Sequence, residues 1–377
     1  VPPMPRLPLP VGVLGCGVVA TSPLGYLPGM VKLSEKIRVV AVADPVIERA
    51  QAVARQFGIP EVYPSLEAML EGADIDAVVN LTPIPVHGLT TLTALRAGKH
   101  VVVEKPIATT LEEANAIIDL ARARGLTVVV APPNMLRPER QEARRLIQEG
   151  AIGKVCFARV RSSHGGPAAA DWPGDPTWFY QAGAGPLFDM GVYGLHDITG
   201  LLGPARRVVA FSGITEPVRV VRGGPFKGKT IEVTADDNTL LMLDFGEATF
   251  AVVDATFNVN AAKGPQLEIY GRAGTLLLAD WMAVREQGAP PIELFRLDVV
   301  PGLDGWVTPR WRRLQQQAEE RARQYGRGII VEHLVDCLLE GRQPVLSAEH
   351  ARHVLEIMLK AMESARCGRA LDLTTTF

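Results

Sequence analysis

Cysteine is scarce in this chain of 377 residues, and its four copies, Cys16, Cys156, Cys337 and Cys367, lie far apart. That spacing forms neither a disulfide framework nor a zinc knuckle, and a reducing cytoplasm is the expected compartment. Long apolar runs are missing as well. Nothing approaches the roughly 18 uninterrupted residues of a membrane span, so no membrane partner is expected. Neither sign of charge dominates: 39 Lys+Arg stand against 41 Asp+Glu, for a formal net charge of -2. An even balance removes the electrostatic reason to bind nucleic acid or an anionic membrane. Internal repeats and low-complexity segments are absent. The proline-rich start, residues 1–10, lacks the basic-then-apolar layout of a signal peptide and reads as an extended arm.

What is present reads as an α/β protein. Its length exceeds what one hydrophobic core usually organises, which predicts two domains, 1–133 and 134–377. In the first, short apolar runs (Val11–Leu14, Val39–Ala43, Ala77–Leu81, His100–Val103, Thr127–Ala131) alternate with helical spacing at Ile47–Phe57, Leu66–Glu71, Gly88–Ala97 and Leu111–Arg124. Continuous apolar strands separated by helices predict a doubly wound parallel sheet, a Rossmann domain. Thr110 and Glu113 have capping-box spacing. Pro23 and Pro28 predict a short helix after residue 17, a break, and a restart near Pro28. Beyond residue 133 the expectation is a helix at Arg140–Glu149, a strand at Lys154–Arg161 and a Gly/Pro-rich loop from Gly165 to Gly185. A helix at Asp189–Leu202 follows, then β-rich sequence from Arg206 to Ala279 that reads as an open, mainly antiparallel sheet, and closing helices.

The first strand runs into Gly15-x-Gly17-x-x-Ala20, with Val18 and Val19 opening the next helix. Glycines at 15 and 17 permit a tight turn and let backbone N–H groups approach a pyrophosphate at a helix N-terminus. The second strand ends in Asp44, whose carboxylate can accept the adenosine ribose hydroxyls and would repel a 2′-phosphate. NAD is the expected cofactor; Arg49 leaves NADP open. A glycine turn without a ligand is the plain alternative.

Four features converge: the glycine turn, Leu81-Thr82-Pro83 with His87, Glu104-Lys105-Pro106, and Gly185-Pro-Leu-Phe-Asp189-Met-Gly191. With them the chain resembles the Gfo/Idh/MocA family of oxidoreductases, and the resemblance extends to Asn134, to Gly150-Ala-Ile-Gly153 and to the segment from Leu267 to Gly274. It implies a C-terminal α/β domain whose open sheet forms a homodimer or homotetramer interface. It also implies that Thr82, Pro83, His87 and Asn134 line the dinucleotide, and that Glu104 and Lys105 sit near the nicotinamide.

Oxidising a secondary alcohol requires a group to take the hydroxyl proton. Many relatives place a histidine four residues after the aspartate; here Tyr193 holds that position and His196 follows. On the helix expected at Asp189–Leu202, Asp189, Tyr193 and His196 are spaced four and three and share one face. Tyr193 is the first candidate for the acid/base, tuned by Lys105, with Asp189 and His196 as relay or substrate ligands. The alternative, that Tyr193 and His196 merely pack, stands beside it. Trp172 and Trp178 offer aromatic faces to a ring, and His164 a hydrogen bond. The spacing of His164, Asp171 and Asp175 matches no metal-ligand pattern, and no metal is expected. The expected activity is interconversion of an alcohol and a ketone on a sugar, sugar derivative or cyclitol. A dihydrodiol-type dehydrogenase, a redox-assisted glycosidase and a non-catalytic dinucleotide sensor remain as rivals.

Overall fold

Six apolar runs assemble into one parallel sheet: β1 (Leu9–Leu14), β2 (Ile37–Ala43), β3 (Glu61–Tyr63), β4 (Ala77–Asn80), β5 (His100–Val103) and β6 (Val128–Val130). In the computed structural model, which describes residues 5–280, 283–284, 288–307 and 312–377, their order is β3-β2-β1-β4-β5-β6. Every residue of β1, β4 and β6 is buried, as strands covered by helices on both faces must be. The strand order reverses between β1 and β4, so the crevice beyond their carboxyl ends is where such a sheet binds ligands. The Rossmann expectation holds, and β3, only three residues long, had no visible run of its own. Of the proposed N-terminal arm, residues 1–4 lie outside the described residues, and Leu9 and Pro10 already belong to β1.

The break after the glycine turn is present. α1 (Val18–Thr21) stops, and α2 (Tyr26–Lys32) restarts two residues before Pro28. Proline in a first turn lacks an N–H that would have had no intrahelical partner. At α3, the helix Leu111–Arg124, Thr110 accepts from Glu113 N at 3.2 Å, while the Glu113 carboxylate accepts from the N–H of Thr109 at 3.1 Å. The cap is therefore a capping box shifted one residue upstream.

Contacts divide the chain into two compact units, neither of them one stretch: Val1–Leu136 with Arg313–Leu355, and Arg137–Arg312 with Glu356–Phe377. The continuous domains 1–133 and 134–377 are corrected in that respect. The chain returns to the first unit because the helix Gly328–Glu340 buries Ile330, Val331, Leu334 and Val335 completely, packing on α2 and β6. In the second unit, α4 (Pro138–Gln148) packs against α5 (Val192–Leu202). Its nine-stranded sheet pairs antiparallel except where Val155–Arg161 runs parallel to Thr249–Thr256. The large, mainly antiparallel sheet is as expected, and the strands Ile292–Val300, Leu303–Val307 and Leu371–Asp372 extend it. Among the described residues no helix is long and apolar enough to cross a membrane.

Candidate active site

In the first unit the chain leaves β1 through Gly15, whose φ is +96° and whose missing Cβ would stand 2.6 Å from the Leu81 carbonyl oxygen. Only glycine fits that turn. Gly17 is different: its φ of -82° suits any residue, and an added Cβ would meet nothing of the protein within 4 Å. Its missing side chain serves no internal contact. The exposed Val18 and half-buried Val19 follow at the start of α1. Asp44, 3% exposed, accepts the backbone N–H groups of Cys16 and Val46, each at 2.9 Å, and the Arg49 guanidinium at 3.4 Å. One carboxylate thus ties the glycine turn to the tip of β2. The turn, the open side of Gly17 and the acidic tip fit a dinucleotide, and the carboxylate suits the ribose of NAD rather than a phosphate.

The loop after β4 is held by Asn80. Its Nδ2 donates to Thr90 and Thr91 hydroxyls at 2.7 and 3.0 Å, and its Oδ1 accepts the Thr82 hydroxyl at 2.7 Å. Pro83 is exposed beside the half-buried Thr82. His87 is buried with Nδ1 2.7 Å from Pro106 O and Nε2 2.7 Å from Thr82 O, bracing two loops; burial pushes its pKa down. Glu104, also buried, accepts the Tyr26 hydroxyl at 3.0 Å, the Lys105 N–H at 3.1 Å and the Arg327 guanidinium at 3.3 Å. Its carboxylate therefore anchors the turn that carries the half-buried Lys105. Asn134 is buried in a 3-10 turn, Asn134–Leu136.

In the second unit the segment bearing Asp189, Tyr193 and His196 is not one regular helix. Leu187–Gly191 is a π-turn, and α5 begins only at Val192. The single-face expectation is corrected for Asp189, because the i→i+5 turn that holds it breaks its four-residue spacing to Tyr193, whereas Tyr193 and His196 keep their helical spacing of three within α5. Asp189 and Tyr193 are half-buried, whereas His196 is 5% exposed and burial holds its pKa down to about 3. His164 accepts the Gly166 N–H on Nδ1 at 2.8 Å and leans on the Phe257 ring, centroids 5.4 Å apart. Burial lowers its pKa, with Asp189 opposing, so the neutral ring carries its proton on Nε2. Trp172 meets the Phe179 ring edge-on at 5.2 Å, while Trp178 is 43% exposed. Asp175 pairs with Lys229. Among the described residues no group of His, Cys, Asp or Glu is arranged to hold a metal ion.

Some residues escaped the sequence reading. Arg140, 1% exposed, pairs with Glu139 at 2.6 Å and with Asp197 at 3.4 Å, linking α4 to α5 one turn below Tyr193. Burial lowers the pKa of Arg137, beside the same group, with Arg140 adding to the shift and Glu139, Asp197 and Tyr193 opposing it. Ser162 enters the π-turn itself. Charged residues in a helix read as solvated from sequence, and a lone serine after a strand carries no signal.

Two family models match the chain. One, for the Gfo/Idh/MocA oxidoreductase family, NAD-binding Rossmann fold, covers residues 9–131; the other, for the Gfo/Idh/MocA C-terminal domain, covers residues 140–277. Levoglucosan dehydrogenase from Pseudarthrobacter phenanthrenivorans is 29% identical over 71% of this chain and 73% of its own length. The scyllo-inositol 2-dehydrogenase (NAD(+)) of Bacillus subtilis is 24% identical over 95% and 96%. The crystal structure of the WlbA dehydrogenase from Bordetella pertussis, in complex with NADH and UDP-GlcNAcA, is 19% identical. It superposes with a TM-score of 0.79 over 99% of both chains, which is a likeness of fold. With the glycine turn, the acidic strand tip and both domain matches in place, the chain belongs to the Gfo/Idh/MocA family and is an NAD-dependent oxidoreductase acting on CH–OH groups.

Proposed function

We propose that the chain interconverts a secondary alcohol and a ketone on a polyhydroxylated substrate, a sugar, sugar derivative or cyclitol. Relatives that are levoglucosan and scyllo-inositol dehydrogenases support that class. When bound, NAD supplies the acceptor for the hydride leaving the carbinol carbon. The chain's own residues then handle the proton and the orientation. In oxidation Tyr193 takes the hydroxyl proton on its phenolate oxygen, and in reduction the resulting phenol returns it. Lys105 orients the substrate oxygen, Asp189 accepts and His164 Nε2 donates hydrogen bonds to neighbouring hydroxyls, and Trp172 and Trp178 offer faces to the ring. Gly15, Gly17, Val18, Val19, Asp44, Thr82 and Pro83 line the dinucleotide; His87, Glu104 and Asn134 shape the loops that carry them.

The observation that carries the choice of base is the contrast along α5. Tyr193 is half-buried and open to a substrate on one side of the helix, while His196 is buried away from any such contact, and burial lowers its pKa to about 3. His196 is accordingly given no proton-accepting role. The test is reduction of NAD⁺ followed by absorbance across levoglucosan, scyllo-inositol, D-glucose and a trans-dihydrodiol. Tyr193→Phe and Lys105→Met are each expected to lower kcat by about 100-fold or more while NADH still binds. Near-normal turnover by Tyr193→Phe, or no response from any of the four, overturns the reading.

A homodimer or homotetramer is proposed on the outer face of the large sheet. Phe211 (82% exposed), Leu240, Met242, Phe250 and Trp306 face outward there, where a solvated antiparallel sheet would carry polar side chains. Light scattering on the purified chain checks this, and a monomer at micromolar concentration refutes it.

A further inference from the structure

The Ser162 hydroxyl enters the helical ladder where the π-turn gives way to α5. In an α-helix the N–H of Gly194 would bond the carbonyl of Met190. Here the Ser162 hydroxyl lies between them, accepting from Gly194 N at 3.1 Å and donating to Met190 O at 2.5 Å. Ser162 is 2% exposed and stands immediately after the strand Val155–Arg161, where its own N–H donates to Asp254 O at 3.1 Å and Oδ1 at 3.2 Å. Its backbone position is thus set by the sheet. A side chain that inserts into the helical ladder opens it locally, and such bulges concentrate where function needs a group re-aimed. The helix makes room for the insertion: a Cβ on Gly194 would stand 2.9 Å from both Ser162 Cβ and Oγ and 2.7 Å from Val160 Cγ1.

The two backbone groups in this clasp have informative neighbours. Met190 follows Asp189, and Gly194 follows Tyr193. We infer that Ser162 is a positioning residue for the reaction: its hydroxyl, inserted between Met190 O and Gly194 N, holds the π-turn open and so sets where the Asp189 carboxylate and the Tyr193 hydroxyl point. The inference rests on the reading of Tyr193 as the acid/base. Without the hydroxyl, Met190 O and Gly194 N pair with each other, the segment winds into a regular helix, and Asp189 turns relative to Tyr193. Misplacing a reacting group by about 1 Å costs on the order of 100-fold in rate. The cofactor residues belong to the other unit and keep their geometry.

The experiment is a double-mutant cycle on the full chain, using as the probe whichever of levoglucosan, scyllo-inositol, D-glucose and the trans-dihydrodiol the parent oxidises fastest. Ser162→Ala is expected to lower kcat by about 100-fold, with the NADH dissociation constant within twofold of the parent and the melting temperature little changed. In the Tyr193→Phe background the same substitution is expected to remove nothing further, because groups that act as a unit are not additive. Ser162→Cys, whose thiol is a weak hydrogen-bonding group, is expected to fall between serine and alanine. If Tyr193→Phe turns over normally, or none of the four compounds reacts with the parent, the functional reading fails and this inference with it. If Tyr193→Phe is inactive but Ser162→Ala keeps the parental kcat, the inference alone fails. It also fails alone if Ser162→Ala lowers the residual rate of Tyr193→Phe by the same factor. Loss of NADH affinity and of melting temperature together with kcat, in both Ser162→Ala and Ser162→Cys, assigns the serine a purely structural role and overturns the proposal.

Discussion

Asp44 carries two burdens whose separate magnitudes can be measured by changing it to asparagine. Its carboxylate accepts two backbone N–H groups at 2.9 Å, one from the glycine turn and one from the start of the next helix. An amide of the same shape keeps one acceptor and sets an NH₂ group against the other N–H. Leaving a buried donor unsatisfied costs about 1–3 kcal/mol, so Asp44→Asn is expected to melt a few degrees lower. The second burden is the cofactor. Ribose hydroxyls bonded to a charged carboxylate contribute about 1.5–3 kcal/mol, and at 1.4 kcal/mol per tenfold the variant should bind NADH about 10- to 100-fold more weakly. NADPH should move the other way. The variant removes the negative charge that repels a 2′-phosphate and releases Arg49, which is half exposed and now paired to Asp44 at 3.4 Å. Fluorescence titrations with NADH and NADPH, run beside thermal melts, read all three effects. An unchanged NADH affinity with NADPH still excluded would refute the assignment of Asp44 to the ribose, even if the melt shifted.

The two glycines of the turn should respond oppositely. Gly17→Ala meets no protein atom and should leave the melting temperature unchanged while weakening NADH, whereas Gly15→Ala, at a φ of +96° and 2.6 Å from Leu81 O, should lose about 1–3 kcal/mol of stability; equal losses of stability would contradict the open side of Gly17. His196 makes a pH prediction. Its folded pKa, near 3, lies below the unfolded value of 6.5, so its contribution is fully present above pH 6.5 and declines as pH falls toward 3. The loss at pH 5 is about 2 kcal/mol. Urea unfolding of the parent and of His196→Gln at pH 7.5 and pH 5 should therefore show a smaller pH dependence in the variant, and parallel behaviour would sink the claim.

Much of the fold was legible because its signals are local. Runs such as Val101-Val-Val103 and Val128–Val130 are buried on both faces and so carry no polar alternation. Pro28 marks a helix start by stereochemistry alone. The glycine turn was legible for the same reason, since a positive φ at Gly15 follows from the strand-to-helix turn that the spacing describes. Short strands such as Glu61–Tyr63 were not visible, because three half-buried residues have too little periodicity to read.

The amino-acid sequence alone determined the class of the protein, the parallel sheet, the dinucleotide turn and the candidate residues, since each depends on neighbours within a few positions. Tertiary structure decided which of those residues are exposed. His196 and Tyr193 sit three apart on one segment, yet packing buries the first completely enough to keep it neutral and leaves the second half-buried. Tertiary structure alone also brought Ser162 into the turn between Met190 and Gly194, across a separation of about thirty residues. Its cause is a strand end and a helix meeting in space, and no pattern along the chain records such a meeting.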